Sequence, residues 1–398
     1  MPVAVAAVLS LVFAASAAFA QPPATSDDAR IHVGPLGITP RLAVRDLGVD
    51  SNIFNTENRT ERDVVAVLSP GVDYWLNIGR AALSNKSTLD WNYFQRQHTQ
   101  RSFNFSQESR VDVDLALVSP HIEGSYLRTR QRPSQEIDIR VPQRKTMGAA
   151  GLAVHVGPRT TVDMGMRVDQ VRFDAVEQDG LRVATALNRN TTGSSIAVKR
   201  ALTALTTLSV RAELVHERFR QESRRNTDSL VVTSQFDFKP SAFVSGTARV
   251  GVRRLTTERN VAPDFSGVVA AVHLNYVLLE QTQFVIKVDR DVEYSAEDFW
   301  PYYVLTGGSV EIKQAVGFVW DVVARGGRSL LNYRAFALAA GATDHRRDEV
   351  TLVGLGVGRH ISDDLRVGVD VNRERRKSPV AERSYGRYRV GGSVTYGF

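Results

Sequence analysis

The stretch 110–117, RVDVDLAL, alternates strictly: Val111, Val113, Leu115 and Leu117 fall between Arg110, Asp112, Asp114 and Ala116. The same period of two recurs in LSVRAEL, where Leu208, Val210, Ala212 and Leu214 oppose Ser209, Arg211 and Glu213. FVIKVDRDVEY sets Phe284, Ile286, Val288, Val292 and Tyr294 against Lys287, Asp289, Asp291 and Glu293, with Arg290 out of place. LRVGVDVNRE sets Leu365, Val367, Val369 and Val371 against Arg366, Gly368, Asp370, Asn372 and Glu374. Successive side chains of a strand point to opposite faces, so each segment predicts a strand with one apolar and one polar face. Helical spacing is nearly absent after residue 37.

Between these strands, short turns alternate with longer polar stretches. Short turns are expected near Asn77–Gly79, Ser119–Pro120, Gly157–Pro158, Lys239–Pro240, Glu280–Thr282, Gln314–Val316 and Ser362–Asp364. Longer segments include Asp50–Arg62, Arg132–Arg140, Asp174–Arg182, Phe336–Arg347 and Glu374–Arg383. That rhythm predicts an all-β, transmembrane, antiparallel up-and-down barrel of about 18 strands, with 16 as the alternative. Short periplasmic turns would lie at one end and longer outer loops at the other. A soluble sandwich or propeller would bury the apolar faces in a core, and no blade repeat is present.

The first 20 residues form one apolar run ending Ala18-Phe19-Ala20, the pattern of a signal peptide. The expected organisation is therefore a signal peptide over 1–20, a short periplasmic segment over 21–37 and a barrel over 38–398. Composition is compatible: mean hydropathy is −0.19 with 23% charged residues, because only alternate residues would meet lipid. With no cysteine, thiolate metal sites and disulfides are excluded. The net charge of +7 is spread along the chain and interleaved with acids, which speaks against nucleic acid as a partner.

The last residues, YRVGGSVTYGF, place Tyr388, Val390, Gly392, Val394, Tyr396 and Phe398 on one face. Aromatics ten residues apart would sit at both interfaces of a membrane. A final strand ending this way matches the signal read by the outer-membrane barrel assembly machinery, with Tyr388, Val394, Tyr396 and Phe398 as its residues.

Residues 41–55, RLAVRDLGVDSNIFN, followed by Val67-Leu-Ser-Pro-Gly-Val72, resemble the opening strands of the putative β-barrel porin 2 family. The resemblance implies an outer-membrane barrel of a Gram-negative bacterium that accompanies exopolysaccharide or capsule synthesis and passes polymer outward. It also implies periplasmic export or synthesis proteins as partners, while the barrel reading itself implies outer-membrane lipid and lipopolysaccharide. A general diffusion porin is the alternative, and an outer-membrane adhesin or enzyme a further one.

Projecting the faces puts Arg110, Asp112, Asp114, Asp163, Arg167, Asp169, Arg211, Glu213, Arg249 and Arg253 toward the pore. Lys287, Asp289, Asp291, Glu311, Lys313, Asp321, Arg325, Arg366 and Asp370 follow on later strands, with Asp289 and Asp291 as a candidate cation-attracting pair. Trp91, Tyr93, Tyr126, Phe284, Trp320 and Tyr388 project toward lipid, leaving Phe94 almost alone inside; such a lumen would be aromatic-poor. Basic clusters at 128–132, 224–225, 346–347 and 373–377 fall in the outer loops, where they would pair with lipopolysaccharide phosphates or an anionic polymer, or simply be solvated. Gly354, Gly356 and Gly358 are spaced by two and so thin one face of the wall. No histidine pair has ligand spacing and no nucleophile elbow occurs, so no catalytic, cofactor or metal site is expected.

Overall fold

A computed structural model describes residues 29–178, 181–239, 243–258, 262–336 and 346–396. Eighteen strands, from Leu36–Asp50 to Tyr385–Tyr396, form one closed antiparallel barrel, each bonded to the next in sequence. The first strand pairs with the last from Leu42↔Tyr396 to Asp50↔Arg389, which closes the sheet. A short strand, Ile31–Val33, folds back on its base. The closing seam needs a bulge at Asp46, whose φ is +52°, and a bare Gly48: a Cβ there would lie 1.9 Å from the Val390 carbonyl.

Barrel strands run from 12 to 17 residues, more than the roughly 9–11 that a tilted strand needs to cross a bilayer. The surplus lies at the long-loop end. There the connections include 51–62, 132–140 and 174–188, the last holding a five-residue helix, Val183–Leu187. At the other end two residues suffice at 79–80 and 158–159. Two expected turns move by a few residues. Ser119 and Pro120 lie within the strand Val118–Gln131, and the turn falls at 114–117, where Ala116 adopts a φ of +69°. Gln314–Val316 ends the strand Tyr302–Val316, and the chain reverses at Gly317, whose φ is +64°.

One face of the wall stays apolar and uncovered by protein: Val353, Leu355, Val357, Val367, Val369 and Val371 are all exposed on adjacent strands. Such a belt is stable against lipid rather than water. Aromatic pairs mark its two borders, Trp91 stacked on Phe103 at 6.2 Å near the long loops and Tyr276 on Phe284 at 6.0 Å near the turns. No described helix is long and apolar enough to cross a membrane; the crossing is made by strands. Gly354, Gly356 and Gly358 lie on the inner face, where the side chains of Asn372, Asp370 and Arg366 occupy the space their Cβ atoms would need.

Candidate functional site

The inner face of the wall is built from charges that neutralise one another across strands. Arg110 bonds Asp112 at 2.6 Å and also Glu123. Arg167 reaches Glu213 at 2.9 Å and Asp169 at 3.2 Å, and Lys199 reaches Asp163 at 3.0 Å. Arg211 donates to the Ser195 hydroxyl at 3.0 Å. Farther round, Arg325 bridges Glu311 and Asp370 at 2.7 and 2.8 Å, and Arg366 bonds Asp321 at 2.6 Å, with Lys313 at 3.7 Å. Arg249, Lys287 and Asp289 lie on the same inner alternation. Asp291 is bound to Arg253 at 3.1 Å, so the Asp289/Asp291 pair is not a free doublet of carboxylates. Asp114 is a correction: it leaves the wall and sits in the turn 114–117, accepting from the Ala116 N–H at 3.1 Å. Tyr388, Val394 and Tyr396 lie on the last strand, with Tyr388 and Tyr396 exposed; Phe398 is outside the described residues, as are 1–28.

The outer mouth is built differently. The ladder between the strands Phe265–Leu278 and Thr282–Tyr294 ends at Ala270↔Arg290, although both strands continue. Beyond that point Val292, Tyr294, Tyr302 and Val304 pack on Phe219, Leu255, Phe265 and Val269, which belong to the inner faces of other strands. The tip of this hairpin therefore curls inside the barrel, and the wall overlaps itself like a scroll. Tyr294 stacks edge-on against Phe219 at 4.9 Å and its hydroxyl bonds Glu217 and Thr227. Adjacent Tyr302 and Tyr303, on opposite faces of one strand, are both 1% exposed. Arg290, the residue that broke the sequence alternation, stands at the branch: its guanidinium binds the Val268 carbonyl at 3.1 Å and the Thr306 hydroxyl at 2.5 Å.

The connecting segment 295–301 becomes a hub. Arg225 donates to the carbonyls of Ser295, Glu297 and Pro301 at 2.6, 2.6 and 3.0 Å. Glu297 takes Arg346 and Arg383, each at 3.2 Å. From the opposite side comes the inward-folded loop 132–140. Its Glu136 accepts from the Ser295 hydroxyl and, at 2.9 Å, from the Ala296 N–H. Ile137 is fully buried. Arg376 clamps this loop through the Glu136 carbonyl at 2.9 Å and Asp138 at 3.0 Å, while also holding Asp348 at 2.7 Å. Segments from four outer connections thus converge on one short stretch of chain, which only a stretch near the middle of the mouth permits.

The SNIF segment anchors the inward loop. Asn52 ties down its own turn through Thr56, at 2.7 Å to the carbonyl and 3.1 Å from the N–H, and bonds the Gly386 carbonyl at 3.1 Å. Buried Ile53 packs with Val65 and Phe94, and its carbonyl accepts Arg132 at 2.7 Å and Arg140 at 3.0 Å. Asn55 holds Asp138 at 3.1 Å. Burial pushes the carboxyl of Glu136 above its ordinary range, and that of Asp138 too, despite their hydrogen bonds. The same desolvation lowers Arg132 and Arg140.

Sequence reading missed this site. Each basic cluster is split by the fold: Arg132, Arg225, Arg346 and Arg376 turn inward, while their neighbours stay outside. Parity could have found Arg376, since the strand Leu365–Lys377 continues the alternation of Arg366 and Asp370 past its expected end. The aromatic-poor interior is likewise corrected. Trp300, Tyr303 and Tyr333 gather inside the mouth, with Tyr333 5.2 Å from Tyr303 and 6.0 Å from Trp300. Among the described residues no protein group bonds the Tyr333 hydroxyl or the Trp300 indole N–H, and no His/Asp/Glu group could hold a metal ion.

Fold, apolar belt and charged inner wall define an outer-membrane β-barrel of the porin-like channel class. Residues 27–398 match the putative β-barrel porin 2 family, and the chain belongs to it. The chain is also similar in fold to solved outer-membrane proteins. OccK2 (OpdF) of Pseudomonas aeruginosa, in complex with glucuronate, gives a TM-score of 0.49 at 8% identity, covering 90% of this chain and 97% of that one. OpdQ of the same organism gives 0.43 at 10%, covering 91% and 96%. The FrpB iron transporter of Neisseria meningitidis (F3-3 variant) gives 0.43 at 10%, covering 86% of this chain, which spans 62% of that protein. No curated protein matches the sequence.

Proposed function

We propose that this barrel is a gated channel for polysaccharide export, shut at its outer mouth until polymer enters from the periplasm. The observation that carries the reading is the hub at 295–301, held by Arg225, Arg346, Arg383 and Glu136 from four different connections. A general diffusion porin has no use for a mouth packed with buried tyrosines and ion pairs; a conduit that must not leak between polymers does. Aromatic rings at Trp300 and Tyr333 and two polar atoms there without a protein partner are buried beneath Arg346, and opening of the mouth would present them to sugar hydroxyls. Synthesis on the periplasmic side would drive the polymer, through partner proteins of the export system, after the barrel assembly machinery has inserted the chain.

The test is deletion of the gene, with surface and secreted polysaccharide measured against polymer retained in the cell. Lost surface polymer, restored by the wild-type gene, is expected. Unchanged polymer overturns the export reading and leaves solute uptake as the activity to measure.

A further inference from the structure

The outward face of the last strands carries a basic patch that the hub does not use. Strand parity places Arg373, Arg375 and Lys377 on the same face as lipid-directed Val367, Val369 and Val371. On the neighbouring strand Arg347, Glu349 and Thr351 continue the face of Val353, Leu355 and Val357, and Arg328 lies beside them. Register joins the pieces: Arg328 pairs with Thr351, Thr351 with Arg375, and Glu349 with Lys377. Five cations thus face outward with one carboxylate, Glu349, which is bound to Arg328 at 2.8 Å. Among the described residues, the exposed side chains of Arg347, Arg375 and Lys377 have no ion-pair partner. Two other rim cations are answered by carboxylates: Arg218 meets Asp228 at 2.8 Å and Arg144 meets Asp174 at 3.6 Å.

Height on the barrel identifies the partner. Tyr388, exposed and paired in register with Arg373, marks the outer aromatic border, and the Arg373 guanidinium lies 5.3 Å from its ring centre. Arg375 and Lys377 stand two and four residues farther out, about 6–7 Å per two residues along the strand, at the level of lipid headgroups rather than acyl chains. Guanidinium groups at that depth bind phosphate through short charge-assisted hydrogen bonds. We propose that this face is a docking site for the phosphorylated headgroup of the outer-leaflet glycolipid, lipid A. The site is independent of what passes through the lumen.

The full barrel in nanodiscs, incubated with bisphosphorylated lipid A, tests it by the amount of lipid retained after washing. Wild type retains lipid A, and retention falls as salt rises. The triple variant Arg347→Ser/Arg375→Ser/Lys377→Ser loses roughly tenfold or more of it. Arg144→Ser retains it fully, and dephosphorylated lipid A is held equally weakly by wild type and triple variant. Equal retention by the triple variant, salt-independent retention, or displacement by millimolar inorganic phosphate overturns the assignment. So does an altered oligomeric state with unchanged lipid A binding, which would make the face an interface between copies. The salt titration on wild type decides the matter even if the triple variant fails to fold, which its heat-dependent gel migration reports.

Discussion

The wall and the mouth of this barrel are made of the same strands and obey different rules. In the wall, inner side chains such as Arg110 and Arg167 keep 33% and 21% exposure and meet counter-charges on their own and nearby strands. At the mouth, Arg376 and Glu136 are about 1% exposed, and Tyr302 and Tyr303 are buried on both faces of one strand. The wall has water on one side and lipid on the other, so alternation describes it completely. The curled hairpin has protein on both sides, so alternation fails there. Charged groups of the wall stay partly wet, whereas those of the mouth are buried and tie its segments to one another.

The sharpest break of this comparison is replacement of 133–139 by a short glycine-serine link. Freed of Glu136 and Asp138, the mouth should change from nearly silent to steadily conducting in planar bilayers, roughly a hundredfold in open time. An unchanged trace would mean that the inward loop does not gate. Next comes Arg376→Ala, which leaves Asp138 and Asp348 buried without their shared cation. A loss of about 3–5 kcal/mol is expected in urea-unfolding midpoints, with leakage to large antibiotics. Leu331→Ala removes fully buried contacts beneath Tyr303 and should cost about 2–5 kcal/mol.

Acidity gives a subtler probe. Glu136 has a raised pKa when docked against Ser295, Ala296, Glu297 and Arg346, because burial disfavours its charged form. Docking therefore takes up protons: it is strongest below the ordinary carboxylate range and weakens as pH rises through the raised value. Asp138, beside Arg376, Arg132 and Asn55, has the same sign. Conductance should fall on acidification, and Glu136→Gln should flatten that slope; a steeper one would refute the assignment. The smallest effect belongs to the wall. Arg110→Ala, opening a partly exposed pair, should cost about 0–1 kcal/mol and shift selectivity toward cations without loosening the mouth.

Much of the wall was legible in the order of residues. Alternation in RVDVDLAL or LRVGVDVNRE needs no tertiary knowledge, because a strand assigns faces by parity alone. Turn positions are less legible: the apolar series runs on through Leu115 and Leu117, so parity alone assigns Asp114 to the wall although Ala116 turns the chain there. The mouth was hidden by a physical ambiguity. An arginine among arginines carries no mark of which will be desolvated, and Arg346 and Arg347 differ only in the side of the strand they enter.

Arg290 shows the boundary best. A charged residue on an otherwise apolar face announced that something changes near position 290, and FVIKVDRDVEY by itself could say no more. That the strand there parts from its neighbour and carries Tyr294 to Glu217 depends on residues far away in the chain. Local periodicity determined the barrel, its belt and its charged lining, because each of those is a property of one strand and its two solvents. The packed mouth was decided only in three dimensions, because its contacts join residues up to 334 positions apart, whose burial no local pattern records.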